Sequence, residues 1–437
     1  MKDKDLIIGA GISGLSCAWV LKDRCIVLEK DATIGGLAKT KKFNAFRSDL
    51  GGHRFFTKNV NIENFVQDLI KGDLLKIQRK SKIYRNKKFI DYPLKASVAL
   101  YLNPLDVLIS FFTYLLRRIK PLPEVSFEDA SKNRFGDRLY ELFFKVYTEK
   151  IWGVRCDKLS KEFVDARLQN ISLKRVIMHA LLSKQKDIKS FADVFIYPKM
   201  GINEITEALS KDLEIRLNSE VTGFVLSKDR IEKVILNNSH ETECKNVIST
   251  MPLTDLTRLL EPPEEIWDSL KSLKFRSLIY VFLILKRKKY SDNHWIYFPG
   301  PQIFGRLHEP KNWSPFMAPE DKTGVGVEVF CFENDDVWKM SDLEIAHQAI
   351  MELPLLKKFE VENHFVTRIE NAYPLYEVGY KEKLDKIKKF LSSYSNLFIL
   401  GRTGSFSYIN MDACIEEGLK LGCFLNNVPA KETPTFI

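Results

Sequence analysis

The chain has 437 residues, more than one ordinary hydrophobic core supports, and its 45% hydrophobic content is enough to build two or three domains. Its net charge of +10 is spread over separate clusters such as Arg79-Lys80-Ser81-Lys82 and Lys286-Arg287-Lys288-Lys289, without aromatic interleaving, which argues against a nucleic-acid surface and for solvated lysines and arginines. Seven cysteines with no Cys-x-x-Cys pair argue against a disulfide scaffold or a metal site, and without a secretory leader the expected setting is a reduced cytoplasm.

Taken in chain order, the first element predicted is a strand over Asp5 to Ile8, followed by the turn Gly9-Ala10-Gly11-Ile12-Ser13-Gly14, a helix from Leu15 to Leu21, and a second strand over Cys25 to Leu28. That βαβ order with Gly-x-Gly-x-x-Gly is a dinucleotide turn. Gly9 permits the tight bend, Gly11 a close approach of backbone to pyrophosphate, and Gly14 close packing of helix on strand. Glu29, ending the second strand, is placed to accept from a ribose hydroxyl. Two diglycines follow, Gly35-Gly36 and Gly51-Gly52, the latter with His53 behind it as either a flavin contact or a satisfied core histidine.

Residues 60–75 read as helix and 82–93 as a hairpin turning at Arg85-Asn86. From 95 to 190 the pattern is helical, with apolar spacing at Leu139, Leu142, Phe143 and Val146. The apolar run from Leu105 to Leu116 is too short to span a bilayer and precedes Arg117-Arg118. It reads as an amphipathic helix within a helical domain, with a peripheral membrane contact as the alternative. Strands are predicted at Val194 to Tyr197, Ile215 to Val225, Lys233 to Leu236 and Asn246 to Thr250, then throughout 275–370. A last buried strand, Leu397 to Gly401, leads through Gly401-Arg402-Thr403-Gly404 to a helix starting near Met411.

These pieces predict an α/β fold in three parts. A discontinuous Rossmann-type domain takes 1–75, 191–255 and 390–437; a helical domain is inserted over 95–190; and an antiparallel-sheet substrate domain takes 76–94 and 256–389. Glu29 followed by a diglycine is the pattern of flavoproteins related to amine oxidases, so the dinucleotide is expected to be FAD. Gly401 and Arg402 can aim NH groups and a guanidinium at its diphosphate or ring.

Further motifs narrow the likeness. Tyr147-Thr148-Glu149-Lys150-Ile151-Trp152-Gly153, Arg306-Leu307-His308-Glu309, Ala372-Tyr373-Pro374-Leu375, and Gly401-Arg402 through Tyr408 to Met411 together resemble the UDP-galactopyranose mutase family over nearly the whole chain. The resemblance implies that reduced FAD acts through N5 as a nucleophile on the anomeric carbon of a nucleotide sugar. Pyranose and furanose forms then interconvert with no net oxidation, for surface polysaccharide synthesis. It also implies that Arg167, Arg306, Tyr373 and Tyr408 bind the substrate diphosphate while Trp152 and Tyr147 offer flat faces to uracil or sugar. Gly9, Gly11, Gly14, Glu29, Gly35, Gly36, Gly52, His53, Gly401, Arg402, Asn410 and Met411 fall to the flavin, with NAD(P)H as reductant. Glu149 and Lys150 read as a solvated helix face, no metal is expected, and oligomerisation stays open. Asn410, where the bacterial mutases carry an acid, marks a departure in the polarity facing the sugar. Two alternatives stand beside this reading: a flavin oxidoreductase of the amine oxidase or protoporphyrinogen oxidase type, and a non-catalytic flavin-binding partner at a membrane.

Overall fold

Four consecutive buried residues in each of Asp5–Ile8 and Cys25–Leu28 suit a sheet covered on both faces, and the two strands pair in parallel with Ile7 opposite Val27. The computed structural model describes residues 3–92, 103–164, 194–357 and 360–427. Within these, a five-stranded parallel sheet runs Leu397–Ile399, Val247–Ser249, Asp5–Ile8, Cys25–Leu28, Ile215–Arg216, so its neighbours come from both ends and the middle of the chain. The helix Ile12–Leu21 lies against Met411–Leu425 at backbone distance. A Cβ on Gly418 would fall 2.6 Å from the Ser13 carbonyl, and one on Gly422 2.7 Å from Val20 Cβ. This Gly-x-x-x-Gly spacing ties the last helix to the dinucleotide turn.

A second sheet of seven strands is ordered Val361–Leu375, Lys274–Leu285, Thr323–Cys331, Arg306–His308, Trp295–Tyr297, Ser81–Arg85, Lys88–Tyr92. It is antiparallel except where Trp295–Tyr297 meets Ser81–Arg85 in parallel. One face packs Ile279, Val281, Leu283 and Val327 against Ile345, Ala346 and Ala349 of the helix Asp342–Glu352. All seven cysteines are buried, with free thiols.

Several elements differ from the sequence reading for local reasons. The helix expected over 60–75 is Val60–Ile70; Lys71 and Gly72 at φ of 53° and 84° stop it, and Leu74–Gln78 becomes a strand paired with Val194–Pro198. The strand expected over 215–225 is two, Ile215–Arg216 and Val221–Ser227, separated by Asn218 at φ 50°. A short helix, Gly401–Gly404, ends the last strand early. Around Leu139 to Val146 the helix widens into a π-turn over Tyr140–Lys145 before Val146–Trp152, a feature often found beside functional sites. Arg167 lies outside the described residues, as does part of the expected 95–190 helical segment.

Candidate active site

At Gly9 and Gly14 the glycine turn is shaped by contacts that leave no room for a side chain. Gly9 has φ +102°, and a Cβ there would stand 2.2 Å from Thr250 Oγ1. Gly14 sits in the first turn of Ile12–Leu21, where a Cβ would stand 2.2 Å from the Gly9 carbonyl. Gly11 faces the Gly35-Gly36 pair: it bridges to Gly35, and the Gly35 amide donates to the Ala10 carbonyl at 2.9 Å. Because Gly11 is the N-cap and has no side chain to satisfy the first-turn amides, the helix end keeps its donors for an anion.

Glu29 is buried with its carboxylate pinned from both sides. Oε2 accepts from the Ala10 amide at 2.7 Å and Oε1 from the Asp31 amide at 3.0 Å. Each oxygen retains a lone pair, and the side chain borders a cavity of about 940 Å³ that Gly9, Gly11, Gly35, Gly36, His53, Gly401, Arg402 and Met411 also line. The remaining three residues assigned to the cofactor do not line it. Gly14 acts through packing; the Gly52 amide donates to Glu328 Oε1 at 3.1 Å; and Asn410 is the exposed N-cap of Met411–Leu425.

His53 carries one of the buried polar atoms left without a partner among the described residues. The atom is Nδ1, and the residue lies on the wall of the cavity. Burial, with Arg402 adding repulsion, lowers its pKa from 6.5 to about 4, so the imidazole is neutral.

Beside this cavity Arg402 organises an aromatic cluster. Its Nε and Nη2 both donate to the Ile409 carbonyl, at 2.8 and 2.6 Å, which holds the guanidinium 5.6 Å from the Tyr373 ring and 5.5 Å from that of Tyr408. Those two rings stack at 6.0 Å. Trp152 was expected to present a face to substrate, but it is only 1% exposed and lies edge-on to both tyrosines and 4.3 Å from Phe163. It therefore buttresses the tyrosines from behind. Tyr147, half-buried, meets Tyr297 edge-on at 5.8 Å.

Arg306 is held differently from expectation. Its Nε donates to Glu328 Oε1 at 2.9 Å and its Nη2 to Oε2, a two-pronged pair with a fully buried carboxylate. Burial alone would raise the Glu328 pKa, but Arg306 and His308 hold it down at about 2. The pair is neutral overall, so only Nη1 of Arg306 lies outside it. Behind it, His308 Nδ1 is 3.3 Å from Glu328 and Nε2 3.0 Å from the Tyr280 hydroxyl, which in turn meets Ser48 Oγ at 2.5 Å. Phe330 links the two arginine centres, 5.8 Å from the Arg306 guanidinium and 6.2 Å from the Tyr373 ring. Glu149 and Lys150 do not form a solvated face. Glu149 accepts from the Cys156 amide at 3.1 Å, while Lys150 donates to the Phe298 and Gly300 carbonyls at 2.7 and 2.8 Å. Burial lowers the Lys150 pKa to about 8.

The model of the family described as flavin containing amine oxidoreductase matches residues 12–420. The chain belongs to this family. A coproporphyrinogen III oxidase of Staphylococcus aureus is 23% identical over 94% of the chain and 96% of its own length. A UDP-galactopyranose mutase of Mycoplasma genitalium is also 23% identical, over 95% of the chain and 93% of its own length. The crystal structure of a reduced UDP-galactopyranose mutase superposes with a TM-score of 0.85 at 21% identity, covering 99% of this chain and 97% of that one.

The flavin this family carries fits the residues present. The uncapped helix end, the pinned Glu29 and Gly9, Gly14, Gly35 and Gly401, none with space for a Cβ, form the cradle, and the unpaired His53 Nδ1 adds a polar group on its wall. Several wall residues had no role in the sequence reading. Thr250, whose Oγ1 donates to the Ile8 carbonyl at 2.8 Å, ends a buried parallel strand. The ends of such strands border ligands in doubly wound sheets, a signal that could have singled it out. Val221, Thr222 and the stretch Thr367 to Asn371 carry no comparable mark.

The low pKa of His53 has a measurable consequence. Its folded value lies below its unfolded value of 6.5, so the stability it contributes is complete above pH 6.5 and is lost as pH falls towards about 4. The flavoprotein is expected to lose urea resistance between pH 7 and pH 4.5, and His53→Gln to lose less. Parallel losses in the two proteins would show that the imidazole is not held neutral.

Proposed function

We propose that this flavoenzyme is a nucleotide-sugar mutase similar to UDP-galactopyranose mutase, interconverting the pyranose and furanose forms of a nucleoside-diphosphate hexose. The observation that carries the reading is the Arg402, Tyr373 and Tyr408 cluster, which joins a fixed cation on the cavity wall to two phenol rings packed beside it. A diphosphate leaving group calls for that combination of charge and hydroxyl donors. Reduced FAD, when bound, supplies an electron pair at N5 able to displace the nucleoside diphosphate from the anomeric carbon. Tyr373 and Tyr408 donate to the departing diphosphate, and Arg402 offsets its charge. Burial raises the Tyr373 pKa, which keeps its phenol protonated as a donor. Arg306 Nη1 adds a further donor, and Arg167 is assigned to the diphosphate by its place after the Trp152 motif. NAD(P)H is the reductant in this reading, and the cytoplasm the compartment that provides it.

A second reading, net oxidation of a porphyrinogen, has specific support. The Staphylococcus aureus relative is as similar as the mutase, and Glu328 neutralises Arg306, which weakens the attraction for a diphosphate. One assay separates the two. In one arm the protein with chemically reduced FAD is incubated without oxygen with UDP- and dTDP-hexoses, and pyranose is resolved from furanose by chromatography; in the other the protein with oxidised FAD is given a porphyrinogen in air and oxygen is followed. Interconversion in the first arm and no enzyme-dependent oxygen uptake in the second is the expected result. No interconversion of any sugar, with steady oxygen uptake on a porphyrinogen, would overturn the mutase reading.

A further inference from the structure

The helix Pro104–Ile119 is packed with its polar side inward. Asp106 and Ser110 are buried and Thr113 and Arg117 half-buried, a spacing of i, i+4, i+7 and i+11 that defines one helix face. On the opposite arc Leu105, Leu108, Phe111, Phe112, Leu116 and Ile119 are each 50% exposed or more. The ordinary arrangement of a surface helix is the reverse.

This orientation is anchored. Asp106 Oδ1 accepts from Arg138 Nε and Nη2 at 2.7 and 2.5 Å, and Arg117 Nε donates to both oxygens of Asp137 at 3.1 Å. The Arg138 amide donates to Thr113 Oγ1 at 3.3 Å. Gly136, at φ +83°, brings its turn against the helix so closely that a Cβ would stand 2.6 Å from the Tyr114 amide. Rolling the apolar arc inward would break two ion pairs and this backbone contact.

An apolar arc of this size on a soluble surface calls for a partner. At 16 residues the helix is about 24 Å long, and no described helix is long and apolar enough to cross a membrane. Its only acid, Asp106, is turned inward and paired, whereas Arg118 and Lys120 are exposed at its end in a chain of net charge +10. A second copy of the helix would offer Arg118 and Lys120 no acid, since its own Asp106 is buried and paired. An anionic lipid surface supplies both apolar chains and negative headgroups. We infer that Pro104–Ile119 lies in the plane of an anionic membrane surface, its Leu and Phe side chains inserted among the acyl chains and Arg118 and Lys120 on the headgroups.

The test is flotation of the full flavin-loaded protein with phosphatidylcholine vesicles, with and without phosphatidylglycerol. The wild type is expected to float with the anionic vesicles. The double substitution Leu108→Glu/Phe112→Glu should lower the bound fraction at least ~10-fold, and Arg118→Glu/Lys120→Glu should remove the preference for phosphatidylglycerol. All four positions face solvent, so retained flavin absorbance certifies the fold of each variant. Absence of wild-type flotation, or flotation unchanged by Leu108→Glu/Phe112→Glu, would overturn the inference. So would a dimer in sedimentation velocity that binds no vesicles and is split by the same substitution, which would assign the arc to a second copy.

Discussion

Arg306→Ala is expected to cost about 3–5 kcal/mol of folding stability, because it strands the Glu328 carboxylate, fully buried, without its two-pronged partner. Urea unfolding of the flavoprotein measures this. Arg306→Met combined with Glu328→Leu should recover most of the loss, since a buried pair replaced by apolar groups of similar volume is often neutral. A loss below ~1 kcal/mol for the single variant would show that the pair is not a structural anchor. The same carboxylate predicts a pH dependence with a definite sign. Its folded pKa of about 2 lies below the ordinary 4.5, so its contribution is complete above pH 4.5 and is lost as pH falls towards 2. Glu328→Gln should flatten the stability profile in that window. For function, the consequence is that lost turnover in Arg306→Ala alone does not identify a substrate contact; it must be read against folded, flavin-loaded protein.

Gly14→Ala is expected to yield protein that purifies nearly colourless. The new Cβ would fall 2.2 Å from the Gly9 carbonyl, a backbone atom that cannot swing aside, so the helix must retreat from the turn that holds the diphosphate. Overpacking of this kind costs about 1–3 kcal/mol, and directed at the cradle it corresponds to a roughly ten- to hundredfold weaker flavin affinity. Flavin fluorescence during titration of the apoprotein measures it. Gly379→Ala is the control, since φ there is +83° but a Cβ would meet nothing within 4 Å. Equal flavin affinity in Gly14→Ala and wild type would show that the close approach of helix and turn does not shape the cradle.

The dinucleotide turn was legible because its constraint is local. Gly9, Gly11, Gly14 and Glu29 lie within one βαβ unit, and the contact that requires Gly14, with the Gly9 carbonyl, is made inside it. The buried strands Cys25–Leu28 and Val247–Ser249 were legible for a similar reason, as short unbroken apolar runs. Boundaries were less so. Lys71 and Asn218 take positive φ as non-glycine residues; asparagine favours that region, but nothing in the Lys71 side chain announces it.

The site was legible in part. Arg402 and Tyr408 share one short segment, but Tyr373 arrives on a strand of the other sheet; the family resemblance gave Arg402 to the flavin and the two tyrosines to the substrate, and the fold sets all three side by side. Glu328 escaped notice because an acid within a strand looks solvent-facing until its partner Arg306, on the neighbouring strand, is placed opposite it. For Trp152 and Pro104–Ile119 the sequence left open which side faces inward, and the structure buries the Trp152 ring and turns the polar side of the helix inward. A helix sequence marks which residues share a face, while the elements packed against it decide which face is turned inward.

By itself, then, the sequence determined the flavin cradle and the buried strands, since these depend on backbone freedom and apolar continuity over a few neighbouring residues. Tertiary structure alone decided the neutral Arg306 and Glu328 pair, the buttressing role of Trp152 and the outward apolar arc of Pro104–Ile119. Those depend on charge partners and packing surfaces that meet only when distant segments fold together, where a desolvated carboxylate or a polar helix face finds the one neighbour able to satisfy it.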